Sequence, residues 1–394
     1  MPVEKSIKVL RVVTNPECVV WHMGKTLTYL SRDFEVMVAG DRVSVNQAAF
    51  PDVAWADIAI ARKINLWADL KALVLLFVLC RRYKPDVVHS IMPKAGLLTA
   101  IAAWLAGVPV RMHTFTGQVW DTKHGLPRAF LKALDRLVVL LNTRCLTDSP
   151  SQSEHLLKHG VSDHGRPLGV LGRGSLNGVD LGRFDQARIR AHSKVTRASV
   201  GLGETDFVIT FAARKSIDKG ALDMLRAFAM ARKRIQHMRL LFVGPDESNG
   251  AIEALRAATP EAFEGVVEFG LVKNLEDYLA LSDVLCLPSY REGFGSVVID
   301  AAALEVPCVG SRIPGLVDAI VDGETGVLFP VGDVEQLADI LVALESDRDR
   351  LKQLGKAASE RVRNVFSSEV LYSHLANLYK EQLVLAGSKF KKHN

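Results

Sequence analysis

Short apolar runs alternate with segments of helical spacing along almost the whole chain. In the first half the runs read IKVLRVV, EVMVAG, DVVHS, VPVRMHT and RCLTD, and the spacing between them predicts helices that include 94–106 and 128–142. In the second half FVITFAA, RLLFVG, VVEFG, DVLCLP, VPCVG and GVLF alternate with helices near 219–236, 249–257, 274–281, 296–305 and 333–345. Short apolar runs suit strands buried on both faces, and strand–helix alternation builds parallel sheets covered by helices. A charged stretch without periodicity, 185–199, interrupts the pattern, which restarts near Asp206. Two further helical segments, 348–364 and 368–385, and a basic tail, SKFKKHN, complete the chain. The predicted fold is therefore α/β, with two doubly wound parallel-sheet domains. The first covers 1–185, a linker 186–204, the second 205–365, and a C-terminal helix and tail, 366–394, packs back on the first. Such sheets bind ligands beyond the carboxyl ends of their strands, which places the expected site in a cleft where the domains face.

Composition narrows the classes. With 394 residues, 48% hydrophobic and 24% charged, the chain can bury a core in each half and does not have a disordered profile. Its five cysteines are odd in number and include no C-x-x-C pair, which argues against disulfides and thiolate zinc and for a reducing compartment. The start, MPVEKSIKVLRVV, lacks the zones of a signal peptide, and the longest apolar runs are too short to span a bilayer; the expected location is cytoplasmic. Charge is unevenly distributed: residues 1–200 hold 27 Lys+Arg against 16 Asp+Glu, a net +11 within a total of +5. Two segments in that half, LWADLKALVLLFVLCRRYK and RAFLKALDRLVVLLNTR, join apolar stripes to basic residues, as helices at an anionic membrane surface do. Nucleic acid is excluded as a partner, since no recognisable module or aromatic interleaving accompanies the charge. His155, His159 and His164 read as a polar helix face, because no H-E-x-x-H or third close ligand accompanies them.

The densest candidate chemistry lies in SYREGFGSVVIDAAALEVP, residues 289–307. A buried strand ends, a glycine-rich turn follows, and a helix begins with Ser296 as its expected N-cap. Free N–H groups at that helix start suit a phosphate, and Gly293 and Gly295 let a ligand approach the main chain. Glu292 stands beside this point, and Asp300, one turn and a little more into an apolar helix, could accept hydrogen bonds from a diol. A phosphate, a sugar and a ribose fit that order of groups.

These residues resemble the retaining glycosyltransferases of family 4, which have the GT-B fold of two Rossmann-like domains. Glu292 to Asp300 matches the family's E-x7-E motif, with Phe294 inside its EGFG turn and Asp in place of the second Glu. FAARKSIDKG resembles the GRL…KG segment, which implies that Arg214 and Lys219 bind the donor diphosphate. LFVGPDES, with Gly244, resembles the strand and turn before the nucleotide pocket. FGLVKNLEDYLALSDVLCLPS resembles the segment whose main chain, here around Val272, touches the base. IPGLVDAIVDGETGVLFPVGD matches the closing motif, and GRGSLNGVDLGRF matches the NGVD…RF signature at the end of the first domain.

The resemblance implies a nucleotide-sugar donor, taken as UDP-linked, and a lipid-diphosphate-linked or oligosaccharide acceptor in bacterial capsule, O-antigen or exopolysaccharide synthesis. Glu292, Arg214 and Lys219 are the implied catalytic groups, and Asp300, Gly293, Phe294, Gly295, Ser296, Gly244 and Val272 the donor-binding ones. No metal or other cofactor is expected, since no acidic pair follows a strand as in metal-dependent sugar transferases. In the first domain the stretch MHTFTGQVW departs from the family's T-x-H-G segment: Thr116 stands where the His would be, and His113, three residues earlier, reads as a packed strand residue. Gly24, Thr116, Gly117, Gln118 and Trp120 are the expected acceptor-side cleft residues. Two other functions share the fold: a nucleotide-sugar epimerase, which would change its donor without an acceptor, and a non-catalytic partner subunit, which would bind no donor.

Overall fold

The computed structural model describes residues 6–61 and 65–391 and divides into two compact units, 1–178 with 368–394 and 179–367. The first five residues of the N-terminal stretch and the last three of the basic tail lie outside the described residues.

The first unit is built on a seven-stranded sheet of β1 (Lys8–Val12), β2 (Glu35–Gly40), β3 (Ala54–Asp57), β4 (Val87–Ile91), β5 (Val110–Phe115), β6 (Arg144–Thr147) and β7 (Gly169–Val170). Every pairing is parallel, in the order β3-β2-β1-β4-β5-β6-β7, so the chain winds outward from β1 in both directions. β4 is buried at all five positions, as a strand covered on both faces is, although His89 and Ser90 stand among its apolar residues. β3 and β7 escape the sequence pattern because they are short edge strands: AWAD is half open to solvent, and Gly169–Val170 is only two residues long.

The second unit carries β8 (Phe207–Ala212), β9 (Met238–Val243), β10 (Val266–Phe269), β11 (Val284–Leu287), β12 (Cys308–Ser311) and β13 (Gly326–Phe329). Its order is β10-β9-β8-β11-β12-β13, again all parallel. The strand order reverses between β8 and β11, so the loops leaving these two strands form the topological switch point, where doubly wound sheets bind ligands. Phe207, Phe211, Phe228, Phe242 and Phe329 fill the core on one side of this sheet.

The sequence predicts a linker over 186–204. Instead Asp185 caps a helix, Gln186–His192, by accepting the Arg188 N–H, and Gln186 donates to the Leu304 carbonyl. Arg197 reaches the carbonyls of Leu281 and Asp206, so the charged stretch is a covering of the second unit rather than a tether. The first unit ends at Gly178 and not at 185, because Val179 already bridges to Ser367 and its N–H donates to Phe366 O. The long final helix, Ser368–Lys391, belongs to the first unit, where Tyr379 is fully buried and its hydroxyl meets Arg11 at 2.9 Å and His89 at 2.8 Å.

Candidate active site

The site is assembled from two turns at the switch point. The first links β8 to the helix Ala221–Arg234 and runs Arg214-Lys215-Ser216-Ile217-Asp218-Lys219-Gly220. Gly220 takes φ +70°, and a Cβ there would overlap the Pro288 carbonyl at the end of β11. The missing side chain lets the first turn lie directly on the second, which leads from β11 into the helix Ser296–Ala303. Gly244 does the same for the neighbouring strand: at φ +139° its absent Cβ would overlap Ala213 O, immediately before Arg214.

In the second turn the expected cap is corrected. Gly295, at φ +84°, is the N-cap and Ser296 is the first helical residue, with no side-chain cap. The chain must pass through the left-handed region here, and a Cβ would come within 2.7 Å of Leu316 Cδ2, so glycine takes the position a serine would normally hold. Gly315, at φ +88°, packs against the same turn: its Cβ would stand 2.5 Å from Gly293 O. Phe294 is buried, with its ring 5.2 Å from that of Phe366. The glycine-rich turn is therefore clamped from two sides.

The charged groups then meet. Lys219 Nζ lies 2.7 Å from Glu292 Oε1 and donates to the Arg291 carbonyl at 3.2 Å, while the Ser289 hydroxyl donates to the same Glu292 oxygen at 2.9 Å. Both partners of the ion pair are largely enclosed, with side chains 15% and 13% exposed. Arg214 reaches Glu247 at 2.5 Å and Asp218 at 3.4 Å; burial opposes its charge, but these two carboxylates and Glu292 outweigh it and raise its pKa. The expected cations are thus brought to one place, and each already holds a carboxylate. Sequence reasoning missed three members of the cluster, Asp218, Glu247 and Arg291, although all three stand inside the motifs it singled out.

Asp300 sits in a second group. Desolvation pushes its pKa up to about 7, with Arg183 pulling it down and Glu276 pushing it further up. Its carboxyl accepts no hydrogen bond among the described residues. Arg183 donates to Glu276 at 2.7 Å and to the Lys273 carbonyl at 3.2 Å, next to Val272, which packs on the cluster of Leu202, Val208, Leu241 and Val243. Arg183 lies in the NGVD…RF stretch and Glu276 in the segment around Val272, but neither was singled out.

The first-unit candidates divide. Gly24, at φ +42°, opens the helix Gly24–Asp33, and the Asn177 amide occupies the space a Cβ would need. Asn177 also donates to Trp21 O at 3.1 Å and accepts from the Thr26 hydroxyl at 2.6 Å, so the NGVD motif holds the Gly24 turn in place. Thr116 and Gly117 follow β5 and are half-buried, while Gln118 is buried and donates to Thr116 O at 2.6 Å. Trp120, expected on a cleft wall, is 1% exposed: its indole N–H donates to Asp135 at 2.7 Å, and its ring stacks on His155 at 5.6 Å. An aromatic ring with a single polar handle is well satisfied inside a core, and the Trp120 cluster includes Phe115, Val138 and Leu156. His155 and His159 accordingly face Trp120 rather than forming a polar outer face. His113 is buried in β5, 2.9 Å from the Ser90 hydroxyl, and desolvation lowers its pKa to about 3.

Comparison with known proteins identifies the family and the fold. The family model described as glycosyl transferases group 1 matches residues 193–361, and that described as glycosyl transferase 4-like domain matches 16–167. The chain is 29% identical over 325 residues to the capsular polysaccharide biosynthesis glycosyltransferase CapM of Staphylococcus aureus, covering 82% of this chain and 83% of that protein. It is 26% identical over 328 residues to the UDP-Gal:alpha-D-GlcNAc-diphosphoundecaprenol alpha-1,3-galactosyltransferase of Escherichia coli, with coverage of 82% and 83%. Among solved structures, Anabaena HepE in complex with UDP and glucose superposes with a TM-score of 0.75 at 16% identity, covering 95% of this chain and all of that one.

Proposed function

The chain belongs to the group 1 glycosyltransferases with a 4-like first domain and has their GT-B fold of two parallel-sheet units, and from that premise we propose that it transfers a sugar, with retention of anomeric configuration, from a UDP-linked donor to a lipid-diphosphate-linked or oligosaccharide acceptor in bacterial surface polysaccharide synthesis. The observation that carries this reading is the Lys219–Glu292 pair, set with Arg214 at the start of a helix whose turn is built from glycines.

In this reading the bond from the anomeric carbon to the diphosphate oxygen breaks, leaving an oxocarbenium-like sugar and a more negative diphosphate. Arg214 and Lys219 meet the developing negative charge, together with the N–H groups of the helix start. Glu292 faces the sugar, where a carboxylate stabilises positive charge and accepts from hydroxyls. The acceptor hydroxyl attacks from the side the leaving group vacates, and its proton passes to the departing phosphate oxygen. No histidine is needed, consistent with Thr116 standing where the family has one and with His113 held neutral in the core. Asp300 takes the ribose diol, and no metal is called for, because the cations carry the phosphate charge.

The first unit takes the acceptor and docks on an anionic leaflet of the cytoplasmic membrane. No helix among the described residues is long and apolar enough to cross a membrane. On the helix Leu66–Tyr83, however, Leu66 and Trp67 are 81% and 83% exposed, Leu70 and Val74 extend the stripe, and Arg81 and Arg82 end it. Exposed aromatic and aliphatic side chains bordered by basic ones favour such a surface. The reading is tested by product analysis. The NMR coupling at the anomeric proton should report the donor's configuration; an inverted product, or a donor altered with no acceptor present, would reject it.

A further inference from the structure

Arg291 was assigned no role by its sequence context, yet it stands in the middle of the donor cluster. Its Nη2 donates to Asp218 Oδ2 at 3.0 Å, and Arg214 Nη2 approaches the same oxygen at 3.4 Å. One carboxylate oxygen thus holds two guanidinium groups side by side. The backbone of the same residues ties the arrangement together: Asp218 O accepts the Tyr290 N–H at 3.0 Å, and Arg291 O accepts from Lys219 at 3.2 Å. Asp218 is anchored independently by the Ser216 hydroxyl, at 2.5 Å. Burial works to raise its pKa, but Ser216 and the charges of Arg214, Lys219 and Arg291 outweigh it and hold the carboxyl below the usual range.

We infer that Arg291 is a third cation for the donor diphosphate, and that Asp218 is the positioning residue that holds Arg291 beside Arg214. The inference rests on the donor-site reading above. Two guanidinium groups repel each other and carry several rotatable bonds, so without an anchor they would separate; a carboxylate shared between them sets their spacing in advance. Each fork then offers donors to a diphosphate, whose two phosphate groups provide more acceptor oxygens than Arg214 and Lys219 can fill.

The test is calorimetric. Wild type is titrated with UDP, ADP and GDP, and then with the monophosphate of whichever base binds. Arg291→Gln should weaken the diphosphate at least about tenfold and the monophosphate less than about threefold, since a lost charged hydrogen bond is felt where the second phosphate sits. Asp218→Asn should weaken the diphosphate about as much and raise the donor KM, with Asp218→Glu partly restoring both. The double variant should fall short of the product of the two single losses, as coupled residues do. If Arg291→Gln keeps the wild-type ratio of diphosphate to monophosphate affinity while its melting temperature falls, the pair is structural only and the inference is overturned. Single losses that multiply in the double variant would also overturn it. Wild type that binds none of the three diphosphates would overturn the donor reading, and this inference with it.

Discussion

Glu292 and Lys219 neutralise each other across 2.7 Å, so removing the charge of one changes what the other meets. Glu292→Gln keeps an acceptor for the Ser289 hydroxyl but leaves Lys219 without its counter-ion. Nucleoside diphosphate affinity should therefore stay near normal or tighten, while kcat falls at least about 100-fold, the scale for losing one electrostatic stabiliser. Calorimetry and steady-state rates on the same preparation check both halves, and near-normal turnover would remove Glu292 from catalysis. Asp300 gives a second prediction, with a pH dependence. Its pKa is raised to about 7 by burial, against an ordinary value of 3.8, so the native chain holds this proton more tightly than the unfolded one. The stability it contributes is fully present below about pH 4 and is lost as pH rises through 7. Relative to Asp300→Asn, wild type should lose melting temperature across that window. Nucleotide affinity should rise over the same window as the carboxylate forms, and Asp300→Ala should weaken it by about 1.5–3 kcal/mol. A flat difference between wild type and the Asn variant from pH 4 to 8 would show that Asp300 does not titrate there. Glu292 and Asp300 drew notice by residue type, as acids in a glycine turn and an apolar helix, whereas Arg214 and Lys219 were singled out only through the family resemblance, since cations on a turn are otherwise ordinary surface residues. Arg183 and Glu276 were not singled out, since 93 residues separate partners only 2.7 Å apart.

At the scale of elements, the site depends on how closely two turns approach, and Gly220 controls that distance. Gly220→Ala adds a methyl group that overlaps Pro288 O and forces a non-glycine residue to φ +70°. The left-handed conformation alone costs about 1–2 kcal/mol and the overlap adds to it, so a loss of more than about 2 kcal/mol is expected in denaturant melts. Any shift of the turn moves Lys219 from Glu292, and kcat should fall with stability. Wild-type kcat in a folded variant would show that the turn spacing does not matter. Most strands were legible as short runs rich in large aliphatic residues, including the half-buried edge β10, whereas β3 and β7 were missed because AWAD has no such run and Gly169–Val170 is only two residues long. Ser296 was misplaced for a related reason: side-chain preference favours serine as a cap, but the backbone angle at the strand-to-helix corner admits only Gly295. Trp120 shows the limit of reading a loop by its neighbours. The indole lies beside Thr116 and Gly117 in sequence, yet Asp135, fifteen residues on, draws it into the core.

For the molecule as a whole, part of the excess of positive charge in residues 1–200 lies along one helix of the first unit. The helix Leu66–Tyr83 buries Ala72, Leu76 and Cys80 and leaves Leu66, Trp67, Leu70 and Val74 in solvent, with Lys71, Arg81, Arg82 and Lys84 at the margin. A core helix would turn its large apolar side chains inward, so this exposed stripe and its basic margin are what motivate the docking proposed above. Vesicles containing anionic lipid should co-sediment the protein at low salt and release it as salt rises, because Debye screening weakens the attraction. Charge alone would give the same salt curve, so the apolar stripe needs its own variant. Trp67→Glu with Leu70→Glu should cut vesicle binding at least about tenfold at fixed salt, beyond the change from Arg81→Gln with Arg82→Gln, since burying two large apolar groups contributes more than two partly screened charges. Solution turnover on a short water-soluble acceptor should be unaffected by either pair. Equal binding of wild type to neutral and anionic vesicles, or a Glu pair that binds like wild type, would leave the stripe to a protein partner instead.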